Sequence, residues 1–139
     1  MAKLQLRVVS QERELLNETV DSLTAQTVTG EITILPNHIP LFTKLDTGEL
    51  VYRHDKQVNS VVVSRGFLTV SPNNEVTVMA DSAVYAREIS EEKAQEAIQA
   101  AHETLRMSVD QRERVLAEAS LRRALLEIRI AERSRKNRI

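Results

Sequence analysis

Leu4, Leu6 and Val8 alternate with Lys3, Gln5 and Arg7; Ile32 and Ile34 alternate with Glu31 and Thr33; Val76 and Val78 alternate with Glu75 and Thr77. A period of two puts successive side chains on opposite faces, so each run predicts a strand with one face buried and one wet. Between the runs lie turn formers: Thr29-Gly30, Pro36-Asn37, Asp46-Thr47-Gly48, His54-Asp55-Lys56 and Ser71-Pro72-Asn73-Asn74. Short strands with frequent turns, and no helical pattern among them up to about residue 85, predict an antiparallel sandwich or barrel made of hairpins.

After Tyr85 the period changes. Ala94, Ala97, Ile98, Ala101 and Leu105 share one face of a helix, with Ser90 placed to cap its start and Glu91 and Glu92 in the first turn, where the helix dipole favours negative charge. A second start follows near Met107: Ser108 and Gln111 have capping-box spacing, and Asp110 with Glu113 offers an alternative. The next stripe, Ala117, Leu121, Ala124, Leu125, Ile128 and Ala131, is flanked by Arg114, Arg122, Arg123, Arg129 and Arg133. The expected architecture is therefore β + α: an N-terminal antiparallel β-sandwich over residues 1–86, then a C-terminal antiparallel two-helix hairpin over 87–139. Alanine dominates the first helical stripe, and each buried methyl contributes only about 0.8 kcal/mol, so the pair is expected to be weakly held. Straightened into one helix, roughly 50 residues would span roughly 75 Å.

The 139 residues suffice for one ordinary domain plus an appendage. There is no cysteine, which removes disulfides, thiol catalysis and thiolate zinc sites. No apolar run approaches the roughly 18 residues of a membrane helix, and Met1 to Ser10 lacks a signal-peptide core, so a cytoplasmic chain is expected. Formal charge is −1 overall, yet it runs from −3 over residues 1–88 through −2 over 89–107 to +4 over 108–139. A basic tail of this kind can face an acidic protein surface, a phosphate polymer or a membrane.

Catalytic patterns are absent. His38, His54 and His102 lack the His-x-x-x-His spacing of a helical zinc site, Ser64-Arg65-Gly66 does not complete a nucleophile elbow, and the chain's three glycines cannot build a phosphate-cradling loop. His54 reads as a turn residue and His102 as the edge of a helical stripe. Aromatic residues make up 3% of the chain and five acidic groups interrupt the tail, which argues against nucleic-acid binding. The stretch GEITILPNHIPL, from Gly30 to Leu41, sets a histidine between two prolines, leaving His38 as a residue of its own loop or of a gripping surface.

The ordered series Gly30-Glu31-Ile32, Ile34-Leu35-Pro36, His38-Ile39-Pro40-Leu41, Gly48-Glu49-Leu50, Gly66-Phe67-Leu68-Thr69-Val70 and Asn74-Glu75-Val76-Thr77-Val78-Met79-Ala80-Asp81-Ser82-Ala83, continued by Ala119-Ser120-Leu121-Arg122-Arg123-Ala124-Leu125, resembles the epsilon subunit of bacterial F-type ATP synthases. The resemblance implies a non-catalytic sandwich at the foot of a rotary stalk, contacting the gamma subunit and the ring of c subunits. It also implies a mobile helix hairpin able to extend into the catalytic head, where its basic residues meet acidic loops of the alpha and beta subunits and slow ATP hydrolysis. On this likeness the partner-facing residues are Glu31, Pro36, His38, Pro40 and Leu41 in the sandwich and Ser108, Arg122, Arg123 and Arg129 in the hairpin. Association with the cytoplasmic face of the cell membrane would be peripheral, through the complex alone, and no cofactor or metal is implied.

The chain also departs from the family. Glycine is common where it has Thr33, Asn37 and Arg65. Asparagine tolerates a left-handed backbone and threonine suits a strand, whereas Arg65 has no such excuse. Some members bind ATP through Ile/Leu-Asp-x-x-Arg-Ala; here Ile89-Ser90-Glu91-Glu92-Lys93-Ala94 replaces the aspartate with Ser90 and the arginine's bidentate fork with the point charge of Lys93, so strong ATP binding is not expected. A rival reading from the residues alone is a free-standing β-sandwich binding module whose basic helical tail contacts nucleic acid or an acidic protein.

Overall fold

A computed structural model describes residues 2–136, with side chains up to Arg133; the last basic residues of the tail lie outside the described side chains. The chain divides into two compact units, Met1–Tyr85 and Ala86–Ile139.

The first unit contains β1 (Leu4–Ser10), β2 (Glu14–Val20), β3 (Ser22–Thr27), β4 (Gly30–Ile34), β5 (Leu41–Leu45), β6 (Gly48–His54), β7 (Gln57–Val70) and β8 (Glu75–Tyr85). They form one hydrogen-bonded path, β2-β1-β8-β7-β5-β3-β4, with β6 bridging β3 and β7, and fold it into a sandwich. All pairings are antiparallel except β1 with β8. Parallel strands need a long connection, and these two are the first and last of the unit, so the whole sandwich serves as their crossover.

The alternation seen in the sequence sets the burial. Leu4, Leu6 and Val8, Ile34, and Val76 and Val78 all sit in one core with Leu23, Leu50, Tyr52, Val61 and Leu68, while Ile32 is half-buried against it. The turn formers work as their chemistry requires: Gly30, Asn37, Asp55 and Asn74 all have positive φ, at 129°, 69°, 55° and 62°.

β7 changes neighbours along its length. Through Val63 it pairs with β6, and from Gly66 with β5, while β8 pairs with it on the other side from Val61 to Val70. At this corner Arg65 has a φ of 20°. That conformation suits glycine; here the arginine adds a contact to Asp81 at 3.9 Å. Next to it, a Cβ on Gly66 would lie 2.0 Å from the Met79 carbonyl oxygen and 2.7 Å from the Ala80 Cα.

The second unit opens with a 3-10 turn, Ala86–Glu88, followed by α1 (Glu91–Met107) and α2 (Gln111–Lys136), which pack on each other; α2 also meets the 3-10 turn. Ser90 caps α1, accepting from the Lys93 amide at 3.2 Å. For α2 the cap is Asp110, whose carboxylate accepts from the Arg112 amide at 2.9 Å; Ser108 instead gives its hydroxyl to Glu113 at 2.6 Å and its carbonyl to Arg114. Arg114 reaches back from α2 to the Leu105 and Ser108 carbonyls, setting a cation on the negative end of α1.

Buried positions recur every seven residues and are alanine: Ala94 and Ala101 in α1, and Ala117, Ala124 and Ala131 in α2. Leu125, expected in the second stripe, is 47% exposed, and Ile130, outside it, is buried. A helix with two neighbours covers more than a single stripe, and a repeat of seven drifts from the ideal 3.6 period.

Two predictions follow from the packing and the charges of the sandwich. Gly66→Ala should destabilise the sandwich by about 3 kcal/mol, because backbone, not a flexible side chain, occupies the space; the midpoint of denaturant unfolding checks this. In the second, Lys3 pairs with Asp21 and Asp55, and Asp21 also accepts the Asp55 amide at 2.7 Å. The hydrogen bond from Lys3, then that from Asp55, holds the Asp21 carboxyl below its ordinary value of 3.8. A lowered folded-state pKa adds stability above the unfolded value and loses it as pH falls through the folded one. The stability difference between the parent and Asp21→Asn should therefore be present at neutral pH and shrink below about pH 3.8, as read by melts at several pH values.

Candidate functional site

The loop between β4 and β5 is built by its proline and asparagine. The His38 amide donates to the Leu35 carbonyl at 3.1 Å, closing a four-residue turn with Pro36 second and left-handed Asn37 third, the arrangement of a type II turn. His38 Nδ1 lies 2.7 Å from the Ile39 carbonyl oxygen. A carbonyl only accepts, so Nδ1 carries the proton, and a neutral ring keeps Nε2 as an acceptor. The ring thus serves its own loop with one nitrogen. Beside it Leu35 and Ile39 are exposed, Ile39 by 74%, and Pro40 is exposed while Pro36 is half-buried.

Other expected residues occupy different settings. Glu31 is exposed on β4 and accepts from Gln26 Nε2 on the adjoining β3 at 2.9 Å. Leu41 packs against the core, and Phe42, the next residue, turns outward with 67% exposure. Ser108 lies in the turn between the helices, with its amide bonded to the Thr104 carbonyl at 2.8 Å and its hydroxyl to Glu113. On α2, Arg122 and Arg129 are exposed and Arg123 is half-buried, its Nε 3.5 Å from Glu127. Burial raises the Glu127 carboxyl above its ordinary value, and Arg123 opposes that rise. The structure gathers Pro36, His38 and Pro40 at one loop; Glu31 lies on the preceding strand, and the hairpin residues belong to a separate unit.

Alternation alone did not reveal the outer face of β5, β7 and β8. Phe42 and Phe67 stack with centroids 5.4 Å apart and planes 18° from parallel, and Phe67 pairs across the strands with Met79, itself 53% exposed. Near the other edge, the same sheet face on β1 and β2 carries a polar lattice: Arg7 to Glu14 at 2.6 Å, and Thr19 to Gln5 at 3.0 Å. The face therefore sets an exposed, stacked aromatic pair beside a polar surface. The available signal was Leu41-Phe42, two apolar residues in succession where a half-wet strand should alternate.

Among the described residues, no grouping of three histidine, aspartate or glutamate side chains could hold a metal ion, and no helix is long and apolar enough to cross a membrane. The hairpin holds a shallow cleft of about 480 Å³, lined by Ala97, Ala101, Ala117 and Ser120 among others, where larger side chains would have filled the space.

Comparison with known proteins agrees with a surface-built role. The sequence pattern of the family described as "ATP synthase, Delta/Epsilon chain, beta-sandwich domain" matches residues 3–86. An ATP synthase epsilon chain of Dehalococcoides mccartyi is 43% identical over 138 residues, covering 99% of this chain and 98% of that one, and one of Herpetosiphon aurantiacus is 39% identical, covering 97% and 98%. In solved structures, a chain of the Euglena gracilis mitochondrial ATP synthase, in its OSCP/F1/c-ring assembly, superposes with a TM-score of 0.76 at 26% identity, covering 91% of this chain and 79% of that one. The fold also recurs, at TM-score 0.65 and 14% identity, in the central stalk and c-ring structure of the Tetrahymena thermophila mitochondrial enzyme, covering 93% of this chain and 96% of that one. A family pattern spanning the sandwich, and relatives matched from end to end through the hairpin, show that the chain belongs to the epsilon-chain family of F-type ATP synthases.

Proposed function

We propose that this chain is the non-catalytic central-stalk subunit of a proton- or sodium-translocating F-type ATP synthase, joining the gamma subunit to the c ring and restraining ATP hydrolysis through its C-terminal helices. The observation that carries this reading is the contrast between the two units. The sandwich has a core of large aliphatic side chains and turns an aromatic pair outward, as a docking module does. The hairpin buries mostly alanine, so little free energy holds its helices together and another arrangement lies within reach.

In this reading residues 1–86 are the seat and 87–139 the brake. Phe42, Phe67 and Met79 meet gamma, and Leu41 serves by anchoring the strand that presents Phe42. The Pro36–Pro40 loop, with the exposed Ile39 beside His38, and Glu31 meet the foot of gamma and the ring. Proline and the turn bonds fix that loop before it docks, which lowers the entropy lost on binding. The exposed Arg122 and Arg129, with Arg123, face acidic loops of the alpha and beta subunits, and Ser108 holds the turn from which α2 departs. The subunit sits at the cytoplasmic face of the cell membrane, peripheral and attached only through the complex.

Phe42→Ala should weaken binding to an ATP synthase stripped of this subunit by about tenfold, the scale of losing an aromatic anchor at an interface. The free chain should lose only about 1 kcal/mol of ring stacking and keep its fold. Titration of the stripped complex with labelled chain measures this, and an unchanged affinity would remove the aromatic face from the contact. For the brake, the full-length chain and a version stopped after Arg87 should both bind the stripped catalytic assembly, and only the full-length chain should slow ATP turnover. Equal rates with both bound would leave a coupling subunit without an inhibitory hairpin.

A further inference from the structure

Asn74 lies in the turn between β7 and β8, far in sequence from the Pro36–Pro40 loop, yet it is bonded to it. Its side-chain carbonyl accepts the Asn37 amide at 2.6 Å, and its side-chain amide faces the Asn37 side-chain oxygen at 3.4 Å. The backbone carbonyl of the same residue accepts the Gln5 amide of β1 at 2.8 Å. Asn37 and Asn74 both have left-handed backbones, at 69° and 62°. Neither is glycine, although glycine would adopt these angles with less strain.

A side chain at these two places supplies what glycine lacks. In the type II turn at Pro36-Asn37, the amide of the third residue has no partner inside the turn. Asn74 supplies one, and its own turn is braced in turn: the Ser71 amide bonds the Glu75 carbonyl at 2.9 Å, and Ser71 Oγ accepts from the Asn73 and Glu75 amides at 3.3 Å each. The path from β1 through Asn74 to Asn37 therefore ties the tip that carries His38 and Ile39 to the far end of the β7–β8 hairpin.

We propose that Asn74 is a positioning residue for docking on the rotor: it holds the Pro36–Pro40 loop, through the Asn37 amide, in the orientation in which Ile39 and His38 meet their partner. The inference rests on the reading of that loop as a docking surface. Asn74 itself touches no partner in this scheme. Its removal lowers affinity because the loop must then be ordered at the moment of binding.

Three variants of the full-length chain separate the possibilities. Asn74→Gly keeps the left-handed backbone and the carbonyl that bonds Gln5, and removes only the side chain. Asn74→Asp keeps the oxygen that accepts the Asn37 amide. Ile39→Ala alters the docking tip and leaves the clasp intact. Each is titrated onto ATP synthase stripped of this subunit, with melting temperature and amide exchange of the free chain measured alongside. The expected result is about a fivefold to tenfold loss of affinity for Asn74→Gly, faster exchange of the Asn37 amide, a melting temperature close to the parent's, and recovery of affinity and protection in Asn74→Asp. If Ile39→Ala weakens binding while Asn74→Gly binds as the parent does, the positioning role is overturned and the docking surface stands. If neither weakens binding, the docking reading fails and the inference falls with it. A melting temperature lowered alike by Asn74→Gly and Asn74→Asp would make Asn74 a residue of the fold and overturn the proposal.

Discussion

The sandwich depends on a close approach of two backbones, where Gly66 of β7 meets the Met79 and Ala80 main chain of β8. There β7 releases β6 and takes up β5, so a single 14-residue strand belongs to both parts of the sheet network. A side chain on Gly66 would push β8 away and break the continuity that lets one core form between the parts. The outward aromatic pair depends on the same corner, because Phe67 directly follows Gly66 and reaches Phe42 only if β7 has already turned onto β5. Core packing and the outward aromatic pair are therefore set by one constraint.

Much of this was legible in the sequence. The period-two runs placed Leu4, Leu6, Val8, Ile34, Val76 and Val78 inside, and four of the five turn-former stretches hold a residue of positive φ. Arg65 was visible as a departure from glycine, but its meaning needed the φ of 20° at the corner. Phe42 and Phe67 stayed hidden because stacking between residues on different strands is fixed by register, which no local pattern encodes. In the hairpin, two acceptable caps competed on paper. The structure chose Asp110, since Ser108 is already occupied in ending α1. Leu125 fell at the margin because burial follows a seven-residue alanine repeat instead of the broader stripe that hydrophobicity alone outlines.

The site is a set of surfaces, and this limits how far single residues can be read from a motif. His38 looks chemical when seen between two prolines, yet one of its nitrogens is committed to the Ile39 carbonyl. Leu41 looks like a contact, yet it packs inward and sets the direction of Phe42. In both cases the structure shows a contact inside the chain that the motif alone did not suggest. Glu31, Arg122 and Arg129 keep charges at the surface, where their worth depends on what faces them and on the salt around them.

The turn between the helices has a consequence for energetics. The Ser108 amide already bonds the Thr104 carbonyl, four residues back, so the hydrogen-bond ladder of α1 reaches into the turn. The Arg114 amide bonds the Asp110 carbonyl in the same way on the other side. A continuous helix would give up the Asp110 cap on the Arg112 amide, the two bonds from the Arg114 side chain and the two at the Ser108 hydroxyl, and would recover backbone bonds across the same few residues. The hydrogen-bond count changes little between the bent and straight forms. The balance then rests on the contact surface between the helices, where alanine predominates among the buried positions and each methyl contributes little.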